Sequence, residues 1–408
     1  MKQLGWMGLM LLLSGVAAAQ EEPKPAPEPE HKPGTGYDVG DFHFAPRIKI
    51  KSQFDDNIFL ENERATEPDD DVYFILNPSI RIDFNPGEEF TATAGYELNQ
   101  WWAADHNEGI RTEHDAALSA RWQPTNLFYL RTDNRFVDAV QPINSTITNQ
   151  VEILAGSYAI APGLSWAYDI LELEIAYRRL DSGEEVNEID LLRFFEHDVW
   201  EFTLRERHQF TDEFSAGVEF YVGWTDFFGT DAGRLKQDNE YWGPRLVAGW
   251  NPVDEVTLSG SVEYQHRNYE RGTGILAFDQ DFSGILFNTG LVWQPSRNDR
   301  FTLGGGRRIA ESPITNYVRS WYAAIGYTRV ITDDLALNLG GNAALGTESD
   351  EAVLQDRKLT WAANMTMYWR FEPGWMAEAG GEYRDKRTND RTGEYENWRA
   401  TVGVGYTF

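Results

Sequence analysis

Hydrophobic and polar residues alternate with a period of two through most of the chain from residue 42 onward. In the segment 359–371, for example, Met365 and Met367 flank the polar Thr366, and the same alternation continues on both sides of them. Successive side chains of a β-strand point to opposite faces, so each such segment is predicted to be a strand with one apolar and one polar face. Equivalent patterns occur at 214–225 and 335–345.

Short polar turns and longer polar connections separate these segments in regular alternation. Because outer-membrane barrels have short periplasmic turns and longer external loops, this order is typical of that class. The predicted turns lie at 85–87, 123–126, 168–169, 211–213, 251–254, 294–297, 332–334 and 372–374. The longer connections include 60–71, 180–192, 230–240 and 346–356.

The number of turns sets the expected architecture. One strand on each side of about eight turns, plus one strand at each end, gives about 18 strands over residues 42–408. A β-propeller also repeats at about 40 residues, but its blades need four short strands, whereas here two long strands fill each repeat. The sequence therefore predicts an all-β protein, a transmembrane antiparallel up-and-down β-barrel of about 18 strands.

The first 41 residues differ from the rest in composition. Residues 1–19 combine Lys2, an apolar stretch and a run of alanines that ends at Ala19, which is the pattern of a secretory signal peptide. Residues 20–41 are rich in Pro and Glu and are predicted to be a disordered periplasmic linker. The barrel is expected to occupy 42–408 and to reach the outer membrane of a Gram-negative bacterium after Sec-type export.

Net charge, cysteine content and aromatic content exclude some classes of function and favour others. A formal charge of -29 argues against nucleic acid as a partner. The absence of cysteine excludes disulfides, thiolate metal sites and thiol nucleophiles. Aromatic residues make up 14% of the chain, as expected for girdles at the two membrane interfaces. Six of them precede short turns on the apolar face: Phe84, Trp122, Trp166, Trp250, Trp293 and Trp369.

Many arginines fall on the predicted inner face, and two interpretations of them are open. Opposite charges on neighbouring strands would stabilise a wide barrel through cross-strand ion pairs. Alternatively, an arginine-rich wall would lower the barrier for an anionic solute or polymer. The candidate solute-guiding residues are Arg121, Arg131, Arg135, Arg205, Arg207, Arg245, Arg370 and Arg399.

No pattern of catalytic or cofactor-binding residues is found. His114 and His197 each stand between two acidic residues, but neighbours on a strand point to opposite faces and cannot form a catalytic dyad. Neither GxSxG nor HExxH occurs, so no enzymatic activity, cofactor or metal is expected. Loop acids could bind calcium or bridge to lipopolysaccharide, although solvated loop charge is the simpler interpretation: Glu61, Glu63, Glu67, Asp69, Asp70 and Asp71.

Both ends of the barrel sequence carry a short motif. The last strand alternates up to Tyr406 and Phe408 and resembles the terminal signal by which bacterial outer-membrane barrels engage the barrel-assembly machinery. Near the start, the residues Phe54, Asp55, Asp56, Asn57, Ile58 and Phe59 resemble the aromatic-Asp-Asp-Asn-aliphatic-aromatic signature of the β-barrel porin 2 family. Members of that family are often associated with exopolysaccharide gene clusters.

The resemblance implies an outer-membrane conduit that assists export of secreted polysaccharide. Its partners would be outer-membrane lipid, lipopolysaccharide and a periplasmic polysaccharide export protein. Two other functions remain open from the residues themselves: a general diffusion porin for small solutes, and a structural or adhesive barrel whose loops carry the function.

Overall fold

The computed structural model describes ten stretches of the chain: 36–57, 70–104, 110–142, 150–182, 196–228, 238–270, 281–311, 316–349, 357–388 and 394–408. Within these ranges no helix is long and apolar enough to span a membrane. Residues 1–35, which include the predicted signal peptide and most of the predicted linker, lie outside the described residues.

The described residues form nineteen β-strands, which we number in chain order. Their bounds are β1 Tyr37–Val39, β2 Phe42–Asp55, β3 Asp71–Gly87, β4 Phe90–Ala103, β5 Ile110–Trp122, β6 Phe128–Pro142, β7 Gln150–Trp166, β8 Asp169–Ser182, β9 His197–Gln209, β10 Phe214–Phe227, β11 Asn239–Val253, β12 Val256–Tyr269, β13 Phe282–Trp293, β14 Asp299–Glu311, β15 Tyr317–Thr332, β16 Leu335–Glu348, β17 Arg357–Glu372, β18 Trp375–Thr388 and β19 Tyr395–Thr407.

Eighteen of these strands, β2 to β19, close into one antiparallel barrel. Each strand pairs with the next along the chain, and β19 returns to pair with β2 from Arg47 to Asp55. The predicted barrel of about 18 strands is therefore confirmed. Strands of 12 to 17 residues exceed the roughly 9 to 11 residues that a tilted membrane-spanning strand requires.

The short strand β1 differs from the prediction. Tyr37–Val39 lies within the segment 20–41, which its composition predicts to be disordered, yet it pairs antiparallel with Phe42–Phe44 of β2. The pairing uses the edge of β2 that β19 leaves free, because β19 reaches only to Arg47. Tyr37 also stacks on Phe44 with ring centroids 5.4 Å apart. An available sheet edge thus overrides a local composition that favours an extended linker.

The connections distinguish the two ends of the barrel. At one end, here the turn end, eight connections of two to five residues join the hairpins, and at the other, the loop end, nine connections of five to fifteen residues do so. In the two-residue turn between β17 and β18, Gly374 has a φ of +79°, a conformation that favours glycine. Both the first barrel strand β2 and the last strand β19 have their free termini at the turn end.

The outer face is apolar, and two belts of aromatic rings border it. On several strands two outward-pointing aromatic residues stand eight positions apart, one near the loop end and the other near the turn end. The pairs are Tyr158 and Trp166, Trp242 and Trp250, Trp361 and Trp369, Trp375 and Tyr383, and Trp398 and Tyr406. Rings within a belt contact each other: the centroids of Tyr383 and Trp398 are 4.4 Å apart, and those of Trp375 and Tyr406 are 4.9 Å apart.

Candidate functional site

The inner wall of the barrel holds the polar and charged side chains that alternate with the apolar outer ones. On β10, for example, Val218 and Phe220 are exposed to the outside, while Glu219 between them is 2% exposed. The same parity holds on the neighbouring strands, so the sequence alternation positions acids and bases along the lumen. This wall is the candidate functional site.

A ladder of alternating acidic and basic residues crosses five adjacent strands of this wall. Its members lie directly opposite one another in the strand register: Glu172 on β8, Arg205 on β9, Glu219 on β10, Arg245 on β11 and Glu263 on β12. Arg205 Nη1 lies 2.8 Å from Glu172 Oε1, and Arg245 Nη1 lies 2.9 Å from Glu219 Oε2. Every charge in the ladder therefore has an opposite charge beside it, as cross-strand pairs require for stabilisation.

Two tyrosine side chains extend this network to a strand that is not their direct neighbour. Each passes over a glycine of the adjacent strand and binds a glutamate on the strand beyond it. Tyr129 on β6 lies over Gly163 of β7 and donates a 2.9 Å hydrogen bond to Glu172 Oε2. Tyr241 lies in the same way over Gly223 and donates a 2.8 Å bond to Glu201 Oε2. A Cβ on either glycine would approach the tyrosine ring within 2.5 Å, so only glycine permits the crossing. The small inward residues of β7 thus allow β6 to be joined directly to β8.

The eight candidate solute-guiding arginines all lie on the inner wall, and five of them form ion pairs with acidic side chains of the described residues. Besides Arg205 and Arg245, Arg131 pairs with Glu172 and Glu174, Arg135 with Asp115, and Arg399 with Asp55. Arg121 stacks over the Tyr129 ring at 4.5 Å, and Arg207 and Arg370 occupy inward positions on β9 and β17. The pairing supports the stabilising interpretation of these residues, and their role in guiding a solute stays a prediction.

The porin-like motif lies at the seam where the first and last barrel strands meet. Asp55 Oδ1 accepts a 2.5 Å bond from Asn397 Nδ2, and Asp55 Oδ2 lies 2.7 Å from Arg399 Nε. Asp56 exchanges two bonds with Trp398: its amide donates to the Trp398 carbonyl, and its carboxylate accepts from the Trp398 amide. We call this set of residues, Asp55, Asp56, Asn57, Asn397, Trp398 and Arg399, the seam clasp.

Three members of the seam clasp are among the most completely buried polar residues that the structure describes. Asp55 and Asn57 are 1% exposed and Asn397 is 0% exposed. Asn57 Nδ2 donates a 3.0 Å bond to the Glu396 carbonyl, and its own carbonyl accepts a 3.2 Å bond from Asn397. The Asp-Asp-Asn part of the motif therefore contacts the last barrel strand where the barrel closes. Ile58 and Phe59 lie outside the described residues. Asn397 is the partner that sequence reasoning missed.

The C-terminal residues close the same seam at the turn end. The Phe408 amide donates a 3.1 Å bond to the Pro46 carbonyl of β2, and its ring lies 5.0 Å from that of Tyr406. Both rings belong to the outer surface, and Phe408 is 56% exposed. The chain end is therefore presented at the barrel surface, and its role as an assembly signal stays a prediction.

In the described part of the chain, the two histidines considered for catalysis lie next to aromatic residues. His114 Nδ1 lies 2.8 Å from the Tyr96 hydroxyl, and the His197 ring packs against Phe227 at 5.0 Å. Of the loop acids considered for calcium, only Asp70 and Asp71 lie within the described residues. In those parts of the chain no group of three or more His, Cys, Asp or Glu side chains could hold a metal ion.

Comparison with known proteins gives similarity of architecture alone. No family profile and no curated protein matches the chain. Similar solved structures include OccAB3 of Acinetobacter baumannii, with 10% identity, a TM-score of 0.48 and coverage of 90% of this chain and 99% of that one. OccAB4 of the same species has 13% identity and a TM-score of 0.47, with coverage of 92% of this chain and 100% of that one. OpdQ of Pseudomonas aeruginosa has 11% identity and a TM-score of 0.48, with coverage of 91% and 98%. At such identities and TM-scores the similarity carries no information on function.

Proposed function

We propose that this protein is a porin-like channel of the Gram-negative outer membrane. The observation that carries the proposal is the pair of aromatic belts, which border an apolar outer face around a barrel with a charged inner wall. At about 3.3 Å per residue and a tilt of about 40°, the eight residues between the belts rise by roughly 20 Å along the barrel axis. That height is close to the apolar band of about 25 Å found on membrane barrels.

The cargo we propose is a secreted polysaccharide, which would cross the outer membrane passively through the lumen. Support comes from the motif at Phe54 to Asn57, whose resemblance to the β-barrel porin 2 family implies a link to exopolysaccharide export. An inner wall of charged, hydroxyl and amide side chains is compatible with a hydrated, hydroxyl-rich polymer. The protein would supply the pore and no catalytic step.

The route to the membrane and the partners are part of the same proposal. Residues 1–19 would direct Sec-type export, and the terminal strand with Tyr406 and Phe408 would engage the barrel-assembly machinery. A periplasmic polysaccharide export protein would deliver the polymer to the turn end, where residue 41 of the N-terminal linker joins β2.

Deletion of the gene tests the cargo directly. We expect the deletion strain to release less polysaccharide into the medium and to retain more in the periplasm, with both amounts restored by the wild-type gene. Glycosyltransferase genes beside this one would support the same conclusion. Unchanged secretion in the deletion strain, together with slower uptake of small nutrients, would instead favour a general diffusion porin.

A further inference from the structure

Acidic residues are distributed unevenly around the inner wall. The outward positions of Ile285, Leu303, Ile325, Leu339 and Met365 fix the inward positions of β13 to β17. Away from the ends of these strands, none of the described inward side chains is acidic; Glu348 and Glu372 are the last residues of β16 and β17, and Glu372 follows a register shift after Arg370. In contrast, β8 to β12 carry Glu172, Glu174, Glu201, Glu219 and Glu263 on the same side. We call the inward surface of β13 to β17 the acid-free wall.

Neutral hydrogen-bonding groups cover much of the acid-free wall. Hydroxyl and amide side chains recur at inward positions of successive strands: Thr302, Thr328, Asn338, Asn342, Asn364 and Thr366. The register aligns Thr328, Asn338 and Thr366 directly across β15, β16 and β17. Asn338 Oδ1 is buried and accepts no hydrogen bond from the described residues. Such a row offers donors and acceptors suited to sugar hydroxyls.

Two arginines on β14 add positive charge to this wall. Arg308 stacks its guanidinium over the Tyr322 ring, 4.9 Å from the centroid. Arg300 lies directly opposite Thr328 and is 7% exposed. Neither forms an ion pair with an acidic side chain of the described residues, and the Nε of each lacks a hydrogen-bond partner there. Arg205 and Arg245, in contrast, form ion pairs with the glutamates of the ladder, which neutralise their charges.

We propose that the acid-free wall is the path of the cargo and that the cargo is an anionic, carboxylate-bearing saccharide. An unpaired guanidinium attracts a carboxylate most strongly where no neighbouring acid competes. The hydroxyl and amide row would exchange hydrogen bonds with the sugar, and the ladder of β8 to β12 would hold the opposite part of the wall rigid. This inference rests on the proposed function, which it deepens by naming the face and the charge of the cargo.

The ion selectivity of the channel tests whether the acid-free wall attracts anions. It is measured as the reversal potential of the refolded barrel in a planar bilayer under a potassium chloride gradient. We expect the wild type to prefer anions and the double variant Arg300→Gln/Arg308→Gln to lose that preference. Arg307→Gln is the matched control, because Arg307 is the neighbour of Arg308 on the outer face and donates to the Ile285 carbonyl. Ser320→Glu, directly opposite Arg308, places an acid on the wall and is expected to act like the double variant.

Current block by oligosaccharides tests the charge of the cargo in the same bilayer. Oligogalacturonate should block the current of the wild type and of Arg307→Gln, and this block should be lost in Arg300→Gln/Arg308→Gln. Neutral maltooligosaccharides of equal length should not distinguish the wild type from the variants. Equal block by the neutral and anionic sugars, or block that survives both wall variants, would overturn the inference and leave the channel intact. A folded wild-type barrel that conducts no ions would overturn the proposed function itself.

Discussion

Asn397 on the last barrel strand donates a 2.5 Å hydrogen bond to Asp55 on the first, although 342 positions separate them in the chain. Arg399 pairs with the second oxygen of the same carboxylate; Asp55 and Asn397 are buried, and the side chain of Arg399 is 10% exposed. The contact exists only when the two ends of the barrel sequence have met. The seam clasp therefore links the stability of the whole barrel to its closure.

Removal of the clasp carboxylate should destabilise the barrel strongly. Asp55→Ala leaves Arg399 buried without this partner and should cost about 3 to 5 kcal/mol, while Asn397→Ala should cost about 1 to 3 kcal/mol. Urea unfolding in detergent measures both losses of stability, with the loss of heat-modifiable migration on a gel as the signal of unfolding. Asp38→Ala is the control, because Asp38 makes an exposed contact with His43 on the same part of the chain. Equal midpoints for Asp55→Ala and Asp38→Ala would contradict this role.

The ladder should respond to loss of a central arginine in a way that an exposed pair does not. Arg205→Ala leaves Glu172 and Glu219 buried without one of their cations and should lower the free energy of unfolding by about 3 to 5 kcal/mol. Arg179→Ala breaks an exposed pair with Asp181 and should change it little. Urea midpoints of the two variants provide the measurement. A similar small effect for both would mean that solvent already screens the ladder.

The crossing of β7 by Tyr129 predicts that one glycine is irreplaceable. In Gly163→Ala the new Cβ would meet the Tyr129 ring at 2.2 Å, and such overpacking costs about 1 to 3 kcal/mol. Gly95→Ala, on β4, meets nothing within 4 Å and is the control. Thermal loss of heat-modifiable migration distinguishes them. If Tyr129→Ala, added to Gly163→Ala, restores no stability, the clash is not with this ring.

The two faces of β19 predict opposite responses to the same substitution. Val402 is 58% exposed on the outer face, midway between the belt residues Trp398 and Tyr406. An arginine at the bilayer midplane costs about 2 to 4 kcal/mol, so Val402→Arg should be destabilising by that amount in lipid vesicles. Thr401→Arg points into the lumen beside Gly380 and should be tolerated. Comparable losses for both variants would show that the assigned faces are wrong.

The period-two alternation was sufficient to predict the fold and the direction of most side chains. Met365 is 52% exposed and Thr366 is 4% exposed, as their positions in the pattern require. The reason is that alternation is a local property, fixed by strand geometry. Strand pairing between neighbours along the chain followed from the turns in the same way.

Side-chain contacts between strands could not be predicted from the alternation. Whether Arg205 meets Glu219 depends on the register of two strands, and a shift of one residue would bring Arg205 opposite an outward position. The approach of Asp55 to Asn397 depends on the closure of the whole barrel, so no local signal could reveal it. The presence of Arg300 on an acid-free wall likewise emerges only when five strands are aligned side by side.

Single-channel recording of the refolded protein in a planar bilayer shows whether the barrel is a channel. The measurement should use barrels whose folding is verified by heat-modifiable migration. A membrane channel with this inner wall should produce discrete, open current steps that carry anions in preference to cations. Folded barrels that insert into the bilayer and pass no current would show that the protein is not a channel.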